Sequence, residues 1–347
     1  MADADPGAYA RNLELSGREF SEGRVLLESN PVELLAILTT GCGMRCVMCS
    51  RWREAGTLPE AVAFKLAGLF PTLRFIDWQG GEVFLLPYAR KLLEAAGAFP
   101  NVDQSVTTSG IPIDAGWARA LLGARVSLNV SIDAAEPGLY ERIRQGAAFA
   151  DLCRALDHVN AARAASANRI RLTLLAVVMR SNHRELDPIL EFAREHDFDS
   201  VQYLPVKGVT DAENIFLHRN PEALAYLRDA LPVLAEKAAR YRIELRWFLP
   251  FTLSKDSGLP AAAGVPGGRF ACRRPWERLV VDASRGGGLY PDCGCRTSVG
   301  NLYTDSWRDA WNSPAMQDYR RGILRNEVRG ICSSDCVSGV VVPGLIG

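Results

Sequence analysis

From residue 32 onward, short runs of apolar and β-branched residues alternate with longer stretches in which apolar positions recur every three or four residues. The first kind suits buried strands and the second suits helices that cover them. The strand candidates are Leu34 to Leu38, Leu73 to Trp78, Asp103 to Thr107, Val126 to Ile132, Ile170 to Val178 and Ser200 to Leu204. Helices are predicted between them, over Pro59 to Leu69, Pro87 to Ala96, Asp114 to Leu122, Phe149 to Ala162 and Arg184 to His196. Such alternation predicts an α/β fold with a parallel sheet. A further helical stretch, Pro221 to Tyr241, leads to the apolar run Ile243 to Leu249, after which Ser257 to Gly268 turns rich in Gly, Pro and Ala and reads as a linker. The expected divisions are an N-terminal extension (1–31), an α/β unit (32–250), a linker (251–268) and a Cys-rich tail (269–347).

With 347 residues and 48% hydrophobic content, the chain can bury a sizeable core. Forty basic residues balance forty acidic ones, so no net field draws nucleic acid or an anionic membrane. The start, Met1-Ala-Asp-Ala-Asp-Pro, is polar and no apolar run reaches the ~18 residues of a membrane span, which argues against a signal peptide or a transmembrane helix. A cytoplasmic location is expected, where nine reduced cysteines point to metal binding or catalysis rather than disulfides.

The first strand candidate runs directly into Thr39-Thr40-Gly41-Cys42-Gly43-Met44-Arg45-Cys46-Val47-Met48-Cys49. Ligands of parallel α/β sheets gather at the carboxyl ends of strands. Three thiolates at this spacing can hold three corners of an iron-sulfur cube and leave the fourth iron open. A structural zinc would need a fourth ligand from elsewhere in the chain. After the second strand come Gly80-Gly81-Glu82, where the backbone can approach a carboxylate and Glu82 can meet an ammonium; an ordinary loop turn is the plain alternative. The third strand ends in Thr107-Thr108-Ser109-Gly110 and the fourth in Ser131-Ile132-Asp133-Ala134, groups that suit a ribose diol or simply cap helices. Asp77, Gln202 and Tyr203 are candidates for substrate contacts, and the scattered histidines receive no role. The tail holds Cys272, Cys293, Cys295, Cys332 and Cys336, enough to close a metal site in a unit too small to fold on its core alone; a zinc ribbon is the alternative. Cys153, inside an apolar helix, is expected to pack as a small core residue.

In order and spacing these segments resemble the radical S-adenosylmethionine (radical SAM) enzymes. The cysteine run resembles their CxxxCxxC signature, Gly80-Gly81-Glu82 their GGE motif, the third and fourth strand ends their TTNG and SIDG segments, and Tyr140-Glu141-Arg142-Ile143-Arg144-Gln145-Gly146 their Y-x-x-I-R-x-G. Val177 to Asn182 resembles the segment that holds adenine. The resemblance implies a partial, TIM-like (βα)6 barrel with a 4Fe-4S cluster on Cys42, Cys46 and Cys49. It further implies SAM bound by Met48, Gly80, Gly81, Glu82, Thr108, Ser109, Ser131, Asp133, Arg144 and Val178. Met48 departs from the family, which usually carries an aromatic residue there, although a thioether also packs on a π face.

The tail resembles the shortened auxiliary-cluster (twitch) domain of SPASM-type radical SAM enzymes. That implies a second 4Fe-4S cluster on Cys272, Cys293, Cys332 and Cys336, with Cys295 left as a thiol able to return a hydrogen atom; the exchange of Cys293 and Cys295 stays open. The implied reaction starts from a 5′-deoxyadenosyl radical and a carbinol carbon of a sugar or aminocyclitol intermediate of antibiotic assembly. Epimerisation through Cys295 or two-electron dehydrogenation follows, with a flavodoxin- or ferredoxin-type electron donor. Peptide modification and a non-enzymatic iron-sulfur redox sensor are the remaining readings.

Overall fold

The computed structural model describes residues 7–206, 212–217, 220–249, 272–325, 327 and 332. The expected linker and Cys336 lie outside the described residues. The strand candidates form β1 (Glu33–Thr39), β2 (Phe75–Gly80), β3 (Asp103–Thr108), β4 (Val126–Ser131), β5 (Leu172–Val178) and β6 (Ser200–Pro205). Two more parallel strands join them. The apolar run after the Pro221–Tyr241 helix contributes β7 (Glu244–Trp247), beside β6. From the Cys-rich tail, β8 (Arg278–Asp282) lies beside β1, in register from Glu33↔Arg278 to Ile37↔Asp282. Two short antiparallel strands, β9 (Gly288–Tyr290) and β10 (Gly300–Asn301), extend that edge, giving the order β10-β9-β8-β1-β2-β3-β4-β5-β6-β7. Among the described residues the sheet does not close, so the barrel is partial, as the resemblance implies.

Some helix bounds differ from the sequence pattern. The stretch from Pro59 breaks into an α turn, Glu60–Ala63, and a 3-10 segment, Phe64–Thr72.

Alternation along the strands separates two faces. On β2, Ile76 and Trp78 are buried beneath the helices, while Asp77 and Gln79 stay half-exposed on the inner face. Trp78 Nε1 donates to Gln104 Oε1 at 2.9 Å, and Gln104 in turn donates to the carbonyls of Leu93 and Ala124, so no polar group is stranded on the helix side. Tyr203, expected near substrate, belongs to this outer layer: it is fully buried and its hydroxyl donates to the Leu186 carbonyl at 2.6 Å. Strand register sets the inner positions in rows, Leu35-Asp77-Ser105-Ser127 and Thr107-Asn129-Thr173-Ser200. Above them lies Ser131-Leu175-Gln202-Arg246. The inner wall is therefore mostly hydroxyl and amide.

The tail is no appendage. Trp276, Leu279, Val281, Leu289, Trp307, Trp311 and Tyr319 pack in the same core as the barrel strands. The N-terminal helix, Ala8–Ser21, docks on this region: Ser16 Oγ donates to the Trp276 carbonyl at 3.0 Å and Phe20 meets the Trp276 ring edge-on at 5.4 Å. Arg320, with no exposed surface, donates to the carbonyls of Val25 (2.7 Å), Pro275 (2.9 Å) and Trp311 (2.8 Å). A buried guanidinium is tolerated when carbonyl oxygens satisfy its donors, and here it ties three segments far apart in sequence. Among the described residues no helix is long and apolar enough to cross a membrane.

Candidate cofactor site

At the carboxyl ends of β1 and β2 the chain is packed too tightly for side chains. A Cβ on Gly80 would stand 2.3 Å from the Thr39 carbonyl oxygen, one on Gly81 2.2 Å from that of Gly41, and Gly80 holds φ at +148°. The two glycines let the second loop hydrogen-bond the first: Gly81 N donates to Thr39 O (2.6 Å) and Glu82 N to Gly41 O (2.8 Å). The far side of the cysteine loop is pinned by Arg45 N to Gln145 O (2.8 Å) and Val47 N to Ile143 O (2.9 Å). Gly146, at φ +92°, permits that approach, since its Cβ would lie 3.0 Å from Gly43 O.

The loop so held opens onto a cavity of about 190 Å³. Cys42, Cys46 and Cys49 line it together with Met48, Gly80 and Gly81. Thr108, Ser109, Ser131 and Arg144 complete the expected residues found there. Met44, Arg51, Thr107 and Val177 line it too, though they carried no expected role. Met44, Thr107 and Val177 sat inside the quoted motifs; nothing in the sequence marked Arg51, which reaches Ser284 at 3.1 Å and links the cysteine loop to the end of β8.

Three expected residues stand behind the cavity wall instead. Val178 is buried in the main core, and its neighbour Val177 faces the cavity, as strand alternation requires. Glu82, 2% exposed, does not line the cavity. Its carboxylate accepts from Thr108 Oγ1 (2.9 Å to each oxygen), Ser109 N (2.9 Å) and Ser109 Oγ (2.6 Å). Burial raises its pKa, while these donors act the other way. Asp133, fully buried, accepts from Val177 N at 2.8 Å and pairs with Arg144 at 2.7 Å. Burial opposes Asp133 ionisation and the guanidinium favours it.

Arg144 thus has one edge on Asp133 and another on the thiol of Cys46, 4.0 Å from Sγ, while its Nε finds no hydrogen-bond partner. Burial raises the thiol pKa of Cys42 and Cys46, so an uncharged loop keeps its protons; Arg144 pulls the other way and would favour thiolates on binding iron. Met48 sits against a separate apolar cluster of Ile143, Met179 and Val206, giving the cavity one greasy wall. Three thiols on one cavity, an orphaned guanidinium nitrogen and an apolar shelf fit a cluster that binds an amino acid and an adenine. Among the described residues no three His, Cys, Asp or Glu side chains converge on a single ion.

The tail thiols lie at the other end of the sheet. Because β9 runs antiparallel to β8, the chain returns to the level of Arg278 at Asp292, which contacts Arg274 and Arg278 at 3.5 Å. Arg278 pairs in register with Glu33, six residues below Thr39. At ~3.3 Å per residue, the tail thiols are about 20 Å along the strands from the cysteine loop. Cys272 and Cys295 are buried, Cys332 is half-buried and Cys293 is exposed. Cys153 packs partly buried against the core.

Comparison with known proteins agrees with this arrangement. Residues 36–193 match the Radical SAM superfamily and residues 272–337 match an iron-sulfur cluster-binding domain, SPASM. A GTP 3′,8-cyclase of Pseudomonas fluorescens (strain Pf0-1) is 32% identical over 195 residues, 52% of this chain and 57% of the relative. Another from Chlorobaculum tepidum is 25% identical over 181 residues, covering 50% of this chain and 53% of the relative. The chain therefore spans little more than half the length of the curated relatives it matches. Among solved structures, Streptococcus suis SuiB bound to S-adenosylmethionine superposes with a TM-score of 0.64 at 14% identity, covering 90% of this chain and 72% of SuiB. Native anSMEcpe with bound AdoMet gives 0.61 at 18% identity, covering 86% of this chain and 85% of that one. At these identities the likeness is one of fold. With both matches in place on this fold, residues 36–193 carry a Radical SAM domain and residues 272–337 a SPASM iron-sulfur cluster-binding domain, which imply SAM, a 4Fe-4S cluster and auxiliary iron-sulfur clusters as cofactors.

Proposed function

We propose that the enzyme acts on a small, polyhydroxylated molecule of sugar or aminocyclitol type, removing a hydrogen atom from a carbinol carbon. The inner wall between the two thiol sites carries the proposal: Asp77, Gln79, Ser105, Thr107, Asn129, Thr173 and Gln202 offer hydroxyls, amides and one carboxylate. Such groups pair with hydroxyls and an amine. A nucleoside triphosphate, the substrate class named by the GTP 3′,8-cyclase relatives, would call for several convergent guanidinium or ammonium groups that are free to meet it. In these three rows of the wall only Arg246 is basic, and Arg74, Arg274 and Arg278 below them are paired with Glu33. A peptide, as in the SuiB complex with its precursor SuiA, would suit a more open and more apolar groove.

When bound to Cys42, Cys46 and Cys49, the cluster and SAM supply a 5′-deoxyadenosyl radical. Arg144 and the backbone of Gly80 and Gly81 hold the methionine end, Ser109 and Ser131 the ribose, and Met48 with Val177 the adenine. Glu82, behind the wall, fixes Thr108 and Ser109. A carbinol radical then has two outcomes. A thiol can return a hydrogen atom on the opposite face, giving the epimer; the sulfur radical left behind regains one electron and one proton through a flavodoxin- or ferredoxin-type donor. Alternatively the radical would pass one electron to an auxiliary cluster held by the tail cysteines and release its hydroxyl proton to solvent, giving a ketone. The spare thiol in the tail favours the epimer.

Incubation of reduced enzyme with SAM and candidate polyols in deuterated buffer tests this. One deuterium in an inverted product supports epimerisation, and loss of two mass units supports dehydrogenation. Cleavage of SAM stimulated only by GTP or by a peptide would reject the proposed substrate class.

A further inference from the structure

Resting on the reading of the cysteine-loop cavity as the SAM site, we infer that Arg51 is a positioning residue of that site, aimed by the turn that follows β8, so that SAM binding is coupled to docking of the tail. No motif marks this residue; its surroundings do. The register of β1 with β8 ends at Ile37↔Asp282, which brings the tail turn Ala283–Arg285 to the same end of the sheet as the cysteine loop. There the two segments meet too closely for a side chain: a Cβ on Gly56 would stand 2.1 Å from the Ala283 carbonyl oxygen. Gly56 is also held to the start of the cysteine loop, its carbonyl accepting from Thr40 N at 2.7 Å and its N–H donating to Thr40 Oγ1 at 3.0 Å. The segment that leaves Cys49 is therefore fastened on one side to the loop and pressed on the other against the tail.

Across this seam runs a directed chain of hydrogen bonds. Ser284 Oγ donates to Asp282 Oδ1 at 2.7 Å, and Ser284 N donates to the same oxygen at 2.9 Å. With its proton committed there, the hydroxyl presents a lone pair, which accepts from Arg51 Nη1 at 3.1 Å. The carboxylates of Asp282 and Glu54 stand farther from that nitrogen, at 3.8 Å each, and add attraction without a hydrogen bond. Arg51 opens the short 3-10 turn Arg51–Arg53 just past Cys49, and its side chain lines the cavity with Cys42, Cys46 and Cys49. Ser284 and Asp282 do not line it. Ser284 therefore acts on the cavity through Arg51. An untethered arginine samples many rotamers, and ordering it when SAM arrives would weaken binding; the Ser284 acceptor orders it in advance.

Isothermal titration of SAM into unreduced holoenzyme, where binding proceeds without turnover, tests this. Ser284→Ala should bind SAM about fivefold or more weakly, the lower end of ordinary coupling between sites, with iron content unchanged. Ser284→Thr, which keeps the hydroxyl, should restore the affinity. In an Arg51→Met background the Ser284→Ala change should add nothing, because the path is already cut. Linkage requires the reverse effect too: SAM should slow amide exchange across residues 282–285 in the parent and not in Arg51→Met. Parental affinity in Ser284→Ala overturns the inference. So does an equal further loss in the Arg51→Met background, which would mark a general loosening of the tail. Should Arg51→Met not fold, the serine variants decide alone, and Ser284→Thr as weak as Ser284→Ala overturns the inference. If the parent holoenzyme binds no SAM, the reading of the cavity fails first, and that result is distinct from the others.

Discussion

Arg144 and Asp133 form an ion pair 2.7 Å long that is almost closed to solvent, and the same guanidinium reaches within 4.0 Å of the Cys46 sulfur. Removing one partner of such a pair leaves a buried charge uncompensated, a loss of about 3–5 kcal/mol. Asp133→Asn should therefore lower the urea midpoint sharply, and Asp133→Asn with Arg144→Met should recover most of the loss. Neither variant should regain SAM affinity. A double variant no more stable than the single would show that the pair is not the cause.

Glu82 gathers Thr108 and Ser109 into the cavity wall. Glu82→Ala strips their partner from three buried donors, and a hydrogen bond to a charged group is worth about 1.5–3 kcal/mol. SAM affinity should fall by isothermal titration as Thr108 and Ser109 shift, with iron content unchanged. Unchanged affinity would refute a role for Glu82 in shaping the SAM site.

Asp77 is held by Ser105 Oγ at 3.0 Å and Gln79 Nε2 at 2.6 Å, yet burial raises its pKa above the ordinary 3.8. The folded protein keeps this proton to higher pH than the unfolded chain does. Folding thus favours the neutral acid, and the benefit, full below 3.8, is lost as pH rises through the folded value. Asp77→Asn, neutral throughout, should gain stability relative to the parent across that window. It should also bind the polyol substrate more weakly. Parallel pH profiles of melting temperature for the two proteins would remove Asp77 as the source of the effect.

Anaerobically reconstituted protein should hold about eight irons, from two cubes. The Cys42→Ala, Cys46→Ala, Cys49→Ala variant should keep about four and lose SAM cleavage entirely. An iron count that the triple substitution leaves unchanged rules out a cluster on this loop.

The parallel strands from β1 to β6 were legible because buried strands must be apolar and their partners follow within tens of residues. β8 was not: Arg278 to Asp282 is five residues long, sits in a Gly- and Cys-rich stretch, and finds its partner Glu33 some 245 positions away. The cavity residues were legible where a motif fixed them, as for Gly80, whose positive φ admits no side chain. Val178 was misplaced against Val177 because a motif names a segment, whereas the strand's period of two decides which residue faces in. Glu82 was read as free to meet a ligand because sequence cannot show that Thr108 and Ser109 already occupy its oxygens.

The place of β8 also bears on how the chain comes to be folded. Its hydrogen-bonding partner is the first barrel strand, so until residues 278–282 have been synthesised the β1 edge that carries the cysteine loop has no neighbour on that side. Unpaired edges of this kind invite pairing with other chains, and contacts this distant in sequence form slowly. Truncation anywhere before Arg278 should yield aggregating protein rather than a soluble barrel, and iron offered before the tail has docked would meet a loop that still lacks its Arg51–Ser284 tie.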